Sequence, residues 1–78
     1  MITEPNVFCK KLCLKIKVER TIRGLSQEDL GELCGISNTS IGAIERGQSI
    51  PTILTIAKIA KAFNMSVSEL TNISEITL

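Results

Sequence analysis

Histidine, tryptophan and tyrosine are all missing from this chain, and phenylalanine occurs only twice in 78 residues. Without histidine, the commonest general base and metal ligand at neutral pH is gone. Without large aromatics the core must be built from Ile, Leu, Val, Ala and thiols, which suits packed helices. No apolar run approaches the ~20 residues that cross a bilayer. Met1 to Lys11 lacks the charged-then-apolar order of a signal peptide, so a cytoplasmic location is expected. The three cysteines, Cys9, Cys13 and Cys34, are an odd number and predict no disulfide framework. Cys9 and Cys13 stand at i, i+4 and could hold two of a zinc ion's ligands, but the spacing is not that of a finger or ribbon. They read as small core residues, and a redox role would need an exposed cysteine of low pKa. Gly24, Gly31, Gly35, Gly42 and Gly47 form no phosphate-binding loop. Glu28, Asp29 and Glu32 fall on a helix surface with no cleft to work in. No metal, no cofactor and no enzymatic activity is expected; the chain reads as a binding module.

A chain this short buries only about 60% of its unfolded surface and makes one domain. The formal charge of +1 favours no class of partner, but its distribution is uneven. Residues 1–25 carry six basic side chains against Glu4 and Glu19, whereas residues 26–47 carry four acids against Arg46.

The stretch Ser26 to Gly47, SQEDLGELCGISNTSIGAIERG, holds the organising pattern. Leu30, Leu33 and Cys34 make one apolar stripe at i, i+3, i+4, and Ile41 with Ile44 makes a second. Two helices meeting at a steep angle would bury all five. Gly31 belongs at their crossing and Gly35 at the turn between them, where a left-handed backbone is needed. Ser26 with Asp29 forms a capping box, Ser37 caps the second helix, and Ile36 plugs the corner. The second helix then has a free face carrying Asn38, Thr39, Gly42, Ala43 and Arg46, which are small or hydrogen-bonding and suit a groove.

Around this motif the chain divides into a loose arm over residues 1–6, a helical domain over 7–70 and an apolar tail over 71–78. A first helix is predicted from Val7 to Arg23, ended by Gly24, with Phe8, Cys9, Leu12, Cys13 and Ile16 inward. Its lysines read as a solvated face, with one or two placed to touch phosphate. Beyond Pro51, Thr52 starts a helix whose inward stripe is Ile53, Ile56, Ile59, Ala60 and Phe63, with Leu54 exposed. Asn64 suits a left-handed C′ position. Ser66 and Glu69 make a second capping box, and Met65, Val67 and Leu70 face inward. The count is five helices and no strand.

Leu30, Gly31, Cys34, Gly35, Ile36, Ile41 and Ile44, closed by Ile44-Glu45-Arg46-Gly47, resemble the Cro and cI repressor family, also called the XRE family. The resemblance implies an all-α, five-helix lambda-repressor-like domain with the helix-turn-helix as its second and third helices. It implies a sequence-specific transcriptional regulator that binds a near-palindromic duplex operator as a homodimer. Small members of this kind include controllers of restriction-modification systems and phage-type repressors. The resemblance also pairs Arg20 with Glu45, and Glu19 departs from it, standing where the family more often has an apolar residue.

On this reading base readout falls to Asn38, Thr39, Gly42 and Ala43 in the major groove, and phosphate contact to Gln27, Ser40, Arg46 and the Gln48 backbone. A glycine at position 42 serves either close backbone approach or packing against the first helix of the motif. The tail, with Leu70, Ile73, Ile76 and Leu78, is too apolar for a solvated terminus and is expected to join two copies; packing back on its own domain is the alternative. An antitoxin or an antagonist of another regulator, acting through that tail on a protein partner, is the competing function.

Overall fold

The computed structural model describes residues 4–78, and over them the chain forms five helices and no strand. These are α1 (Pro5–Ile22), α2 (Gln27–Cys34), α3 (Asn38–Glu45), α4 (Ile53–Ala62) and α5 (Val67–Thr71). Proline at the first position of α1 has no N–H to leave unpaired there, so the helix begins at Pro5 rather than at Val7. Pro5 and Asn6 therefore belong to the helix and not to an arm, with Glu4 at the N-cap. The rest of the expected arm, residues 1–3, lies outside the described residues.

Each later helix starts on a hydroxyl that accepts a hydrogen bond from the backbone N–H of the third helical residue: Ser26, Ser37, Thr52 and Ser66. At α2 and α5 the return bond is also made, from Ser26 N to Asp29 and from Ser66 N to Glu69. These bonds hold both carboxyls below their ordinary pKa. Among the described residues four turns use a left-handed backbone, at Gly24 after α1, Gly35 after α2, Gly47 after α3 and Asn64 after α4.

The core takes Leu12, Cys13 and Ile16 from α1, Leu30 and Cys34 from α2, and Ile41 and Ile44 from α3. Ile56, Ile59, Ala60 and Phe63 join them from α4 and its cap, and Leu70 from α5. Burial together with the neighbouring Cys9 raises the Cys13 thiol to about 11, so it stays protonated at neutral pH as an ordinary core group. α2 packs on α3 and α4, and α1 lies across α3 and α5.

Four residues expected inward are exposed. Phe8, Ile53 and Val67 lie in the first turns of their helices and stay outside the core cluster. Leu33 is 59% exposed because α2 offers Leu30, Gly31 and Cys34 to its neighbours, which leaves Leu33 at the rim beside Lys58 and Lys61.

Leu70 corrects the expectation for the tail. It is fully buried among residues of its own domain and cannot meet a partner. Ile73 also packs on that core. Lys15 Nζ, on α1, donates to the carbonyls of Glu69, at 2.7 Å, and Asn72, tying the start of the tail to the domain. Ile76 lies half-buried beside Val18, Glu19 and Ile22, and Leu78 is exposed.

Candidate nucleic-acid interface

α3 has eight residues, a length that does not persist alone in water. It is held by Ile41 and Ile44, both buried, and by Ser37 at its start. With the apolar side committed inward, Asn38 and Thr39 stand exposed at the N-terminal end and Ala43 is half-buried one turn later. Ser40 is exposed too, but its Oγ accepts from Ser37 Oγ at 2.9 Å and so completes the cap.

Gly42, expected on the outer face, is instead buried. A Cβ there would stand 2.9 Å from Arg46 Nη1 and 3.1 Å from Gln27 Oε1. The side chains of α2's first residue and of α3's C-cap thus close over a glycine that has nothing to offer a base edge. Gly42 is a spacer that lets Gln27 and Arg46 approach each other.

Beneath them sits an ion pair. Arg20 reaches from α1 to Glu45 with two hydrogen bonds, Nε to Oε2 at 2.6 Å and Nη2 to Oε1 at 3.0 Å. Its Nη1 donates to Leu25 O at 2.7 Å. Only 14% of the Arg20 side chain and 2% of the Glu45 side chain are exposed. Hydrogen bonding to Glu45 raises the already high pKa of Arg20, so the guanidinium stays charged. Gln27 Nε2 donates to the same Glu45 oxygen at 3.2 Å. α1, the start of α2 and the end of α3 are therefore joined at one carboxylate.

At the far end of α3, Arg46 is exposed and its Nε donates to Gln48 Oε1 at 3.1 Å. The Gln48 backbone N–H, expected to meet phosphate, already donates to Ala43 O at 2.9 Å. Only the side chain of Gln48 is left for that contact. Lys10 of α1 lines a shallow cleft with Arg46 and Gly47. Nothing in the spacing of α1 singles it out among the lysines; it is found only once α1 is laid across the end of α3.

Arg23, the last residue of the predicted first helix, makes contacts that its place in the sequence does not announce. Its guanidinium lies 4.7 Å from the centre of the Phe63 ring, and it donates to Phe63 O at 3.0 Å and to Glu19 at 2.8 Å. This explains Glu19 where an apolar residue is more usual: the acid holds Arg23 over the end of α4.

Among the described residues no group of three or more His, Cys, Asp or Glu is placed to hold a metal ion, and no helix is long and apolar enough to cross a membrane.

Comparison with known proteins gives one consistent answer. The helix-turn-helix family HTH_3 matches residues 16–70. An uncharacterized HTH-type transcriptional regulator of Bacillus subtilis, YgzD, is 42% identical over 55 residues, covering 70% of this chain and 83% of that protein. The control protein C.SmaI of Serratia marcescens is 41% identical over 59 residues, 76% of this chain and 70% of its own length. The crystal structure of the restriction-modification controller protein C.AhdI from Aeromonas hydrophila superposes with a TM-score of 0.74 at 37% identity, over 77% of this chain and 91% of that one.

Proposed function

We propose, on the premise that the chain belongs to the helix-turn-helix family HTH_3 and is a transcriptional regulator with that family's DNA-binding fold, that it binds a near-palindromic duplex operator as a homodimer. The observation that carries this reading is the outer side of α3, where Asn38 and Thr39 are exposed on a helix pinned from behind by Ile41 and Ile44.

The mechanism divides into positioning and readout. Gln27 and Arg46 converge over Gly42, with Gln48 and Lys10 beside Arg46, and these side chains together meet phosphate on one side of the groove. Glu28 and Asp29 occupy the first turn of α2 and already offset its positive end, so phosphate contact there falls to the Gln27 side chain. Asn38 offers an amide that can pair with adenine N6 and N7, and the methyls of Thr39 and Ala43 fit beside thymine. With a formal charge of +1 and few base contacts per copy, one domain binds weakly. Two copies about one turn of DNA apart, ~34 Å, double the contacts.

Selection of binding sites from random duplexes, followed by titration of two variants, tests the assignment. Asn38→Ala relaxes preference at one position per half-site by ~1–3 kcal/mol and leaves binding to unrelated duplexes unchanged. Arg46→Ala weakens all duplexes alike and lowers the salt slope by about 1 for each phosphate it no longer neutralises. Equal losses on every duplex from both variants would refute the division of roles.

A further inference from the structure

One turn apart on α1, Cys9 and Cys13 line a single cleft between that helix and the segment after α3, where Lys10, Gly47 and Ile50 form the other walls. Cys9 is half-buried, Cys13 is 2% exposed, and neither is in a disulfide. Helix geometry keeps them from making one together. Residues at i, i+4 hold their Cβ atoms ~5–6 Å apart, whereas a disulfide needs ~3.5–4.5 Å. The same spacing suits an ion between the sulfurs, because two metal–thiolate bonds of ~2.3 Å each span up to ~4.6 Å. Operator binding uses neither thiol.

We propose that Cys9 and Cys13 hold one cuprous ion between their sulfurs, and that the loaded site draws Lys10 out of phosphate contact. The coupling to phosphate rests on the operator-binding reading; the site itself does not. The donor set selects the ion. Among the described residues no third His, Cys, Asp or Glu joins the pair, so zinc, which takes four ligands, is left half-coordinated. Thiolate is a soft donor that selects Cu(I), an ion satisfied by two sulfurs in line. Charge points the same way. Burial and then the neighbouring Cys9 raise the pKa of the Cys13 thiol, since two thiolates side by side in a poorly solvated cleft repel each other. A cation between them turns that repulsion into attraction. On loading, two S–H bonds break and two Cu–S bonds form, two protons pass to water, and copper stays monovalent. The product carries one net negative charge, and the Lys10 ammonium lines the same cleft. An ammonium that answers a thiolate is withdrawn from phosphate.

Anaerobic titration of the reduced full chain with Cu(I), in competition with the cuprous chelator bicinchoninate, tests the site. Cys9 packs against the core cluster without belonging to it, so Cys9→Ser keeps the circular dichroism spectrum of the parent. The parent and Cys34→Ala each take up one ion per chain, and X-ray absorption at the copper edge shows two sulfur neighbours. Cys9→Ser binds the ion more weakly by more than the ~10–100-fold that loss of an outer-shell partner costs. A parent that takes no copper from the chelator, a Cys9→Ser variant that binds like the parent, or a Cys34→Ala variant that loses the ion overturns the proposal. So does zinc binding the pair more tightly than Cu(I). Gel retardation reads the coupling: loading lowers the salt slope of duplex binding by about 1, and Lys10→Ala abolishes that difference. An unchanged slope on loading overturns the coupling. The two readings fail separately. A chain that binds copper through Cys9 and retards no duplex keeps the site and refutes operator binding. A chain that retards duplexes and takes no copper does the reverse.

Discussion

Replacing Arg20 by alanine is expected to cost about 3–5 kcal/mol, because it leaves the Glu45 carboxylate, 2% exposed, without its main counter-charge. A domain of this size has about 5–15 kcal/mol in all, and each 1 kcal/mol moves its melting temperature by roughly 4–8 °C. The variant should therefore melt at least about 12 °C below the parent in a thermal scan. Glu45→Ala should do likewise, since it strands a guanidinium that is 14% exposed. The double replacement Arg20→Met with Glu45→Leu separates stability from function. Removing both charges also removes the desolvation penalty, so most of the lost stability returns. DNA affinity does not return, because Gln27 loses the carboxylate that holds its amide beside Gly42. If either single variant melts with the parent, or if the double variant recovers full affinity, the pair is not the brace described here.

The second large effect contrasts the two buried glycines of the motif, one on each of its helices. At Gly31 an added Cβ would run into the carbonyl oxygen of Ile36 and sit 3.4 Å from Asn38 N. Both obstacles are backbone, and the same segment is fixed by the Ile36 N–H bond to Gly31 O at 2.9 Å. Alanine gains about 1 kcal/mol in helix propensity over glycine. Forcing the turn aside costs ~1–3 kcal/mol or more and moves the first residue of the recognition helix. Gly31→Ala should be destabilising by calorimetry and should weaken duplex binding as well. At Gly42 the obstacles are the ends of Arg46 and Gln27, which can swing away. Gly42→Ala should keep or gain stability, by up to about 1 kcal/mol, and still lose affinity because the two side chains proposed to contact phosphate are displaced. Loss of stability in Gly42→Ala, or none in Gly31→Ala, would contradict the roles assigned to them.

The helices and most of the core are legible from periodicity and caps. Ser26 with Asp29, Ser66 with Glu69, and the left-handed Gly35 and Asn64 stand where local rules place them, since capping and turn geometry depend on residues close in sequence. The positions that depart from expectation share a cause. Periodicity says which side of a helix is apolar and nothing about whether a neighbour covers it, so Ile53 and Val67 belong to inward stripes and yet stay exposed. Gly42 illustrates the same limit for the site. Its position on the outer side of α3 is correct in projection, but the projection cannot show that Gln27 and Arg46 arch over it. Arg23 against Phe63 and Lys15 against the tail carbonyls join residues 40 and 54 or more positions apart, and no local pattern announces such contacts.

The division of labour within α3 also bears on how such proteins diversify. Ile41 and Ile44 carry its attachment to the rest of the molecule, while the side chains of Asn38 and Thr39 contribute nothing to the interior. Substitutions at those two positions are thus almost free of folding penalty, and, on the proposed division of readout, a lineage can drift from one target sequence to another through point changes without passing through an unstable intermediate.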